Sequence, residues 1–145
     1  MFFERKKYLK ELIAGRGNGL VKIITGVRRC GKSFLLFNIW HNWLLEHGVT
    51  DNHIIEIQLD DFRNRRLRKP DALLDYIDSK VIEDGNPHYI VLDEVQMVED
   101  FVEVILSLTH MRNVDVYVSG SNSRFLSSDV VTEFRGRGDE IRIWP

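Results

Sequence analysis

GVRRCGKS, residues 26–33, decides how the rest of this chain is read. Gly26, Gly31, Lys32 and Ser33 meet the spacing G-x-x-x-x-G-K-[ST], the pattern of a loop that wraps phosphate. The pattern carries meaning only between a strand and a helix. LVKIIT (20–25) precedes it and reads as a short buried strand, apolar and rich in β-branched residues. SFLLFNIWHNWLLEHG (33–48) follows it and reads as a helix. That helix is apolar nearly all round and is expected to be buried, with Gly48 as its stop.

The chemistry explains the residue types. Glycines at 26 and 31 let the backbone curl until successive N–H groups face one anion. The helix beginning near Lys32 adds the positive end of its dipole. Lys32 brings an ammonium to the β- and γ-phosphates, and Ser33 brings a hydroxyl to Mg²⁺. The expected nucleotide cradle runs through Gly26, Val27, Arg28, Arg29, Cys30, Gly31, Lys32, Ser33 and Phe34. The residues between the glycines contribute mainly backbone N–H groups, so their side chains are free for other work. Arg28 and Arg29 have two readings. Either one pairs with an acid of a lid or a neighbouring subunit and reports nucleotide state, or both are solvated. Cys30 is a small filler or, at a helix N-terminus, a thiol of lowered pKa.

Outward from the loop, strands and helices alternate. Helices are expected at 3–14, 71–84 (with Asp71 as cap), 98–111 and 127–135. Strands are expected at 53–60, 88–94, 114–121 and 140–144. This alternation predicts an α/β fold, a parallel sheet with helices on both faces. In such sheets ligands bind beyond the carboxyl ends of the strands.

YIVLDE places Asp93 and Glu94 at one of those ends. Asp93 suits Mg²⁺, directly or through water. Glu94 suits the base that orients and deprotonates the attacking water. A small-molecule kinase needs metal ligands and no water-activating base, so the pair favours hydrolysis. VSGSNS (118–123) closes the next strand. If that strand lies between the loop strand and the acidic strand, Ser119, Ser121 or Asn122 reaches the γ-phosphate or its water. Otherwise it is a capped polar turn. EFRGRGDE (133–140) offers Arg135 and Arg137. Either stabilises a transferring phosphoryl group, in cis or from a neighbouring subunit, or pairs with Asp139 and Glu140.

Composition limits the rest. The chain has 145 residues, which suits one domain spanning 1–145, and carries a net charge of −2. That balance favours neither nucleic acid nor an anionic membrane as partner. No apolar run approaches the roughly 18 residues of a membrane span. A single cysteine excludes an internal disulfide and fits a reducing compartment, so a cytoplasmic location is expected. RNRRLRK (63–69) has five basic residues in seven and reads as a solvated loop, with DNA or an acidic partner as the alternative. His41, His47, His53, His88 and His110 show no metal-ligand spacing along the chain, and no chemistry is assigned to them. Trp40 and Trp43 read as core.

KIITGVRRCGKSFLL, YIVLDEVQ, VSGSNS and RGRGDEIRIWP together resemble the ATPase domain of a prokaryotic AAA-like group. This group is similar to the archaeal-type and STAND ATPases and, more remotely, to origin-recognition ATPases. The resemblance covers nearly the whole chain, and GVRR-x-GKS is its most specific part. It implies a three-layer α/β/α sandwich with a five-stranded parallel sheet in the order 5-1-4-3-2. It also implies ATP, Mg²⁺ and the roles given above to Lys32, Ser33, Asp93 and Glu94. Phe34 departs from the group, which often has Thr there, at a position that is no ligand. Further domains follow the ATPase core in that group, so the chain is expected to be an N-terminal fragment with an attached C-terminal domain. A homo-oligomer is a further possible partner arrangement. The expected function is MgATP hydrolysis at a Walker A loop and a Walker B Asp-Glu pair. The alternative is a slow or non-hydrolysing nucleotide switch.

Overall fold

The computed structural model describes residues 5–26, 31–121, 134 and 136–143. Val27, Arg28, Arg29, Cys30, Asn122, Arg135 and most of the expected helix at 127–135 lie outside the described residues.

Five strands form one sheet: β1 (Val21–Thr25), β2 (Ile54–Gln58), β3 (His88–Asp93), β4 (Val114–Gly120) and β5 (Gly138–Arg142). Their order is β2-β3-β4-β1-β5, and every pairing is parallel. This is the order 5-1-4-3-2, with β4 between the loop strand and the acidic strand. Alternate residues of each strand face opposite ways, as the two-residue period requires. Ile90, Leu92, Val116 and Val118 pack into one core with Leu73, Ile77 and Ile105. Tyr89, Val91, Tyr117 and Ile24 pack into the other with Leu12, Leu36, Trp40 and Leu44. The first core is covered by α3 (Pro70–Lys80) and α4 (Phe101–Leu108), the second by α1 (Arg5–Gly15) and the helix that follows the loop, α2 (residues 32–46). The layers are therefore helix, sheet, helix.

α2 runs through Lys32–Phe34, Leu35–Trp40 and His41–Glu46, the middle piece wound with the wider π geometry. It is less buried than its composition suggests. Leu35, Leu36, Trp40 and Leu44 form the buried face, while Phe34 and Leu45 are each 41% exposed. Its end follows the sequence. Gly48 has φ 91°, and the Val49 N–H reaches back to the Leu44 carbonyl at 3.0 Å, the six-to-one bond of a Schellman cap. A Cβ on Gly48 would meet nothing within 4 Å. Gly48→Ala should therefore cost about 1–2 kcal/mol from backbone strain alone, read by urea unfolding with an unchanged m value.

Two expectations shift on the opposite side. Asp71 does not cap α3. Lys69 occupies that position and Pro70 is the first helical residue, where a missing N–H costs nothing. Asp71 lies in the first turn instead, against the positive helix end. RNRRLRK up to Arg68 belongs to a short 3-10 stretch, Phe62–Arg68, capped by Asp61. Leu67 pins it to the core, and the Arg68 side chain donates to the Leu59 carbonyl at 2.8 Å. Among the described residues no helix is long and apolar enough to cross a membrane.

A buried ion pair ties β1 to β4. Lys22 Nζ donates to Asp115 Oδ1 at 2.6 Å and to Asn18 Oδ1 at 3.0 Å. Asp115 Oδ2 accepts from the Tyr117 hydroxyl at 2.7 Å and from the Gly17 N–H at 2.9 Å. Burial, with the Asp115 charge next, pushes the Tyr117 hydroxyl far above its ordinary pKa.

Candidate nucleotide site

The C-terminal ends of β1, β4 and β3 lie side by side. Ile24 pairs with Ser119, and Leu92 pairs with Val118, so Asp93 and Ser119 stand at the same level one step further on. The phosphate loop leaves β1 at this edge. Gly26 has φ 151° and Gly31 has φ 99°, both in the region that favours glycine. Lys32 is buried, and its Nζ donates to the Gly26 carbonyl at 2.9 Å. The lysine thus reaches back to the residue that follows β1.

The serine and the acids meet directly. Ser33 Oγ donates to Asp93 Oδ2 at 2.7 Å, and Ser119 Oγ donates to Asp93 Oδ1. Each oxygen of the Asp93 carboxylate is thus satisfied by a hydroxyl. Burial raises the Asp93 pKa most; the two hydroxyls lower it, and the charges of Glu94 and Asp60 raise it further. A buried carboxylate beside other acids, touched by neutral oxygen donors, is the environment that a hard divalent cation relieves. Ser33 and Asp93 therefore fit Mg²⁺ by donor type, burial and proximity.

Glu94 takes φ 54°, the left-handed region, where a non-glycine residue costs on the order of 1–2 kcal/mol. Three contacts hold it there. Its N–H donates to Ser119 Oγ at 3.3 Å. Its carboxylate Oε1 accepts from Ser121 Oγ at 2.7 Å and from Gln96 Nε2 at 2.8 Å. Strain of this kind gathers at functional positions because the surroundings must enforce it.

Lys32, Ser33, Asp93 and Glu94 thus converge. Of the three alternatives at the β4 end, Ser119 engages Asp93 and Ser121 engages Glu94. Phe34 follows Ser33 on the exposed side of α2. Arg137 does not join them. It precedes β5, at the N-terminal edge of the sheet, and its Nη1 donates to Thr109 Oγ1 at 3.4 Å and to His110 Nε2 at 3.3 Å. The cis reading of Arg137 is therefore not supported, and only the trans reading keeps it near a phosphate. Gln96 and Asp60 were not foreseen. Gln96 follows the acidic pair by two residues on a 3-10 turn (Val95–Met97), and a one-turn offset from an acid is a weak signal in sequence. Asp60 enters through the β2 end, next to β3 in space only.

Comparison with known proteins agrees with this geometry. The profile described as AAA domain matches residues 18–145. An uncharacterized protein of Haemophilus influenzae is 30% identical over 141 residues, covering 97% of this chain and 35% of that protein. An uncharacterized protein of Methanocaldococcus jannaschii is 27% identical over 129 residues, covering 86% of this chain and 26% of that protein. The chain therefore spans about a third and a quarter of the length of these relatives. Among solved structures, Drosophila ORC bound to DNA superposes with a TM-score of 0.60 at 12% identity, over 96% of this chain and 89% of that one. At that identity the likeness concerns the fold. The profile match over most of the chain, on a sheet whose order and loop position are those of a P-loop domain, shows that this chain belongs to the AAA domain family and is of the nucleotide-binding kind.

Proposed function

We propose that this domain binds MgATP on residues 26–34 and hydrolyses it to ADP and phosphate, with Glu94 as the base. The observation that carries the proposal is the continuous hydrogen-bonded chain from Ser33 through Asp93 and Ser119 to Glu94. It joins the loop to the acidic pair at one sheet edge.

Each residue has a task. The Gly26–Gly31 turn supplies backbone N–H groups, and Lys32 leaves the Gly26 carbonyl to place its ammonium on the phosphates. Ser33 and Asp93 would hold Mg²⁺, which would supply positive charge to neutralise the phosphates. Glu94 accepts a proton from the water that attacks the γ-phosphorus, and the bond to the bridging oxygen breaks as ADP leaves. Ser121 keeps the Glu94 carboxylate oriented. A charge-assisted hydrogen bond is worth about 1.5–3 kcal/mol. Lys32→Ala should therefore weaken MgATP binding about 10- to 100-fold by calorimetry and remove phosphate release. Unchanged affinity would refute the site.

Two contacts on one oxygen favour a second reading, a slow nucleotide switch. Glu94 Oε1 already accepts from both Ser121 and Gln96, and in this reading the Gln96 contact holds the carboxylate back from the water until it is released. In a longer protein that release would be governed by an attached domain or partner. Tight MgATP binding with negligible phosphate release, raised severalfold by Gln96→Ala, would select this reading.

A further inference from the structure

The opposite edge of the sheet carries a cluster the nucleotide chemistry does not use. A 3-10 turn, Asp51–His53, feeds β2, and His88 opens β3. Ile54 pairs with Tyr89, so the two histidines are lateral neighbours one step earlier. Their ring centroids lie 4.5 Å apart. They are only 8% and 1% exposed. The loop at 81–87 brings Asp84 over them. One ligand atom from each of His53, Asp84 and His88 lies within 4.8 Å of the other two.

Asn52 Oδ1 accepts from the Thr50 hydroxyl at 2.6 Å and lies 2.8 Å from His53 Nδ1. Thr50 Oγ1 itself lies 2.6 Å from His53 Nδ1, so two oxygens grip this ring nitrogen. That outer grip fixes the ring and aims the other nitrogen, Nε2, at Asp84 Oδ2, 2.6 Å away. Metal-bound histidines are held in this way. Asp84 is fixed too, since its Oδ1 accepts from the Asn86 N–H at 3.0 Å. Between His53 Nε2 and a carboxylate oxygen either a hydrogen or a metal ion must lie, since both atoms otherwise offer lone pairs. A proton satisfies that pair alone. His88 Nδ1 would stay as it is, buried and without a hydrogen bond.

We propose that His53, Asp84 and His88 form a site for a divalent transition metal of the Zn²⁺ class, separate from the phosphate edge. Two imidazoles and one carboxylate suit Zn²⁺, Co²⁺ or Ni²⁺ and discriminate against Mg²⁺. Tetrahedral ligands at about 2.0–2.1 Å from zinc stand roughly 3.3 Å apart. The His53–Asp84 contact must widen by under about 1 Å, and the three residues draw together around the ion. The exposed loop at 81–87 allows this, with Gly85 at φ 79°. Solvent supplies the fourth ligand from a groove of about 500 Å³ lined by Asn86, His88, Met111 and Arg112.

Binding has one necessary consequence. His88 Nε2 now accepts from the Ile82 N–H at 3.0 Å. A metal on Nε2 displaces that N–H. A metal on Nδ1 moves the ring hydrogen to Nε2, which then cannot accept. Either way the Ile82 N–H loses its acceptor. The ion therefore clamps the starts of β2 and β3 while releasing the head of the loop at 81–87.

The whole chain titrated with cobalt chloride tests this. The expected result is one equivalent of Co²⁺ giving the visible bands of a four- or five-coordinate ion. Zinc chloride should displace them, and the Ile82 amide should exchange faster when metal is bound. Asp84→Ala and His53→Gln should lower the affinity at least tenfold. Asp84 lies in the exposed loop, so its variant reads the site even if His53→Gln does not fold. Thr50→Val, which removes part of the outer support of His53, should weaken binding about tenfold. Asp93→Asn should leave the bands intact, which separates this site from the nucleotide edge. Absent bands, bands that survive Asp84→Ala, or bands lost in Asp93→Asn alone would overturn the proposal.

Discussion

Glu94→Gln is expected to bind MgATP as the parent chain does and to release phosphate about 10²–10⁴-fold more slowly. The amide keeps the shape of the side chain and an oxygen that accepts from Ser121 and Gln96, as Oε1 does now. It cannot take a proton from water. The left-handed backbone at residue 94 is held by the Ser119 contact to its N–H, which the substitution does not touch. Binding and chemistry should therefore separate. Calorimetry with MgATP and a phosphate-release assay on the same preparation measure both. Turnover at the parent rate would show that the water is activated elsewhere, leaving Asp93 and Lys32 as a binding site without this base.

The second large effect concerns stability. Asp115→Ala should destabilise the fold by about 3–5 kcal/mol, because it strands a buried ammonium. Lys22 is fully buried, and without Asp115 the Asn18 carbonyl is the acceptor left to it among the described residues. The Gly17 N–H and Tyr117 hydroxyl lose their acceptor as well. A fall of roughly 10 °C or more in Tm should accompany this. The pair itself adds little over an apolar pair of the same shape, since both charges have been taken out of water. Lys22→Met with Asp115→Asn should therefore cost less than the two single changes added together, by about 0.5–3 kcal/mol. Urea unfolding of the four proteins closes the cycle. A loss under about 1 kcal/mol for Asp115→Ala would mean that water reaches the ammonium.

The phosphate edge was largely legible because its determinants are local. The glycines of the loop, the lysine and serine that follow and the acids at the end of an apolar strand are fixed by short-range spacing. The alternation of strand and helix then places them on one side of the sheet. Helix ends were less legible. Pro70 and Lys69 displaced Asp71 from the cap because proline fixes its own φ and lacks the N–H a cap would satisfy. α2 looked apolar on every face, yet the sheet covers only one of them.

By itself the sequence determined the layer architecture, the phosphate loop and the acidic pair, since each follows from a period or a motif a few residues long. The place of β4 between β1 and β3 followed from the family resemblance and from no spacing, and only the tertiary structure decided that Ser119 meets Asp93 and Ser121 meets Glu94. It also carried Arg137 to the far edge and brought His53 and His88 together from separate strands. Strand order comes from packing among segments distant in sequence, so partners across a parallel sheet leave no fixed spacing along the chain.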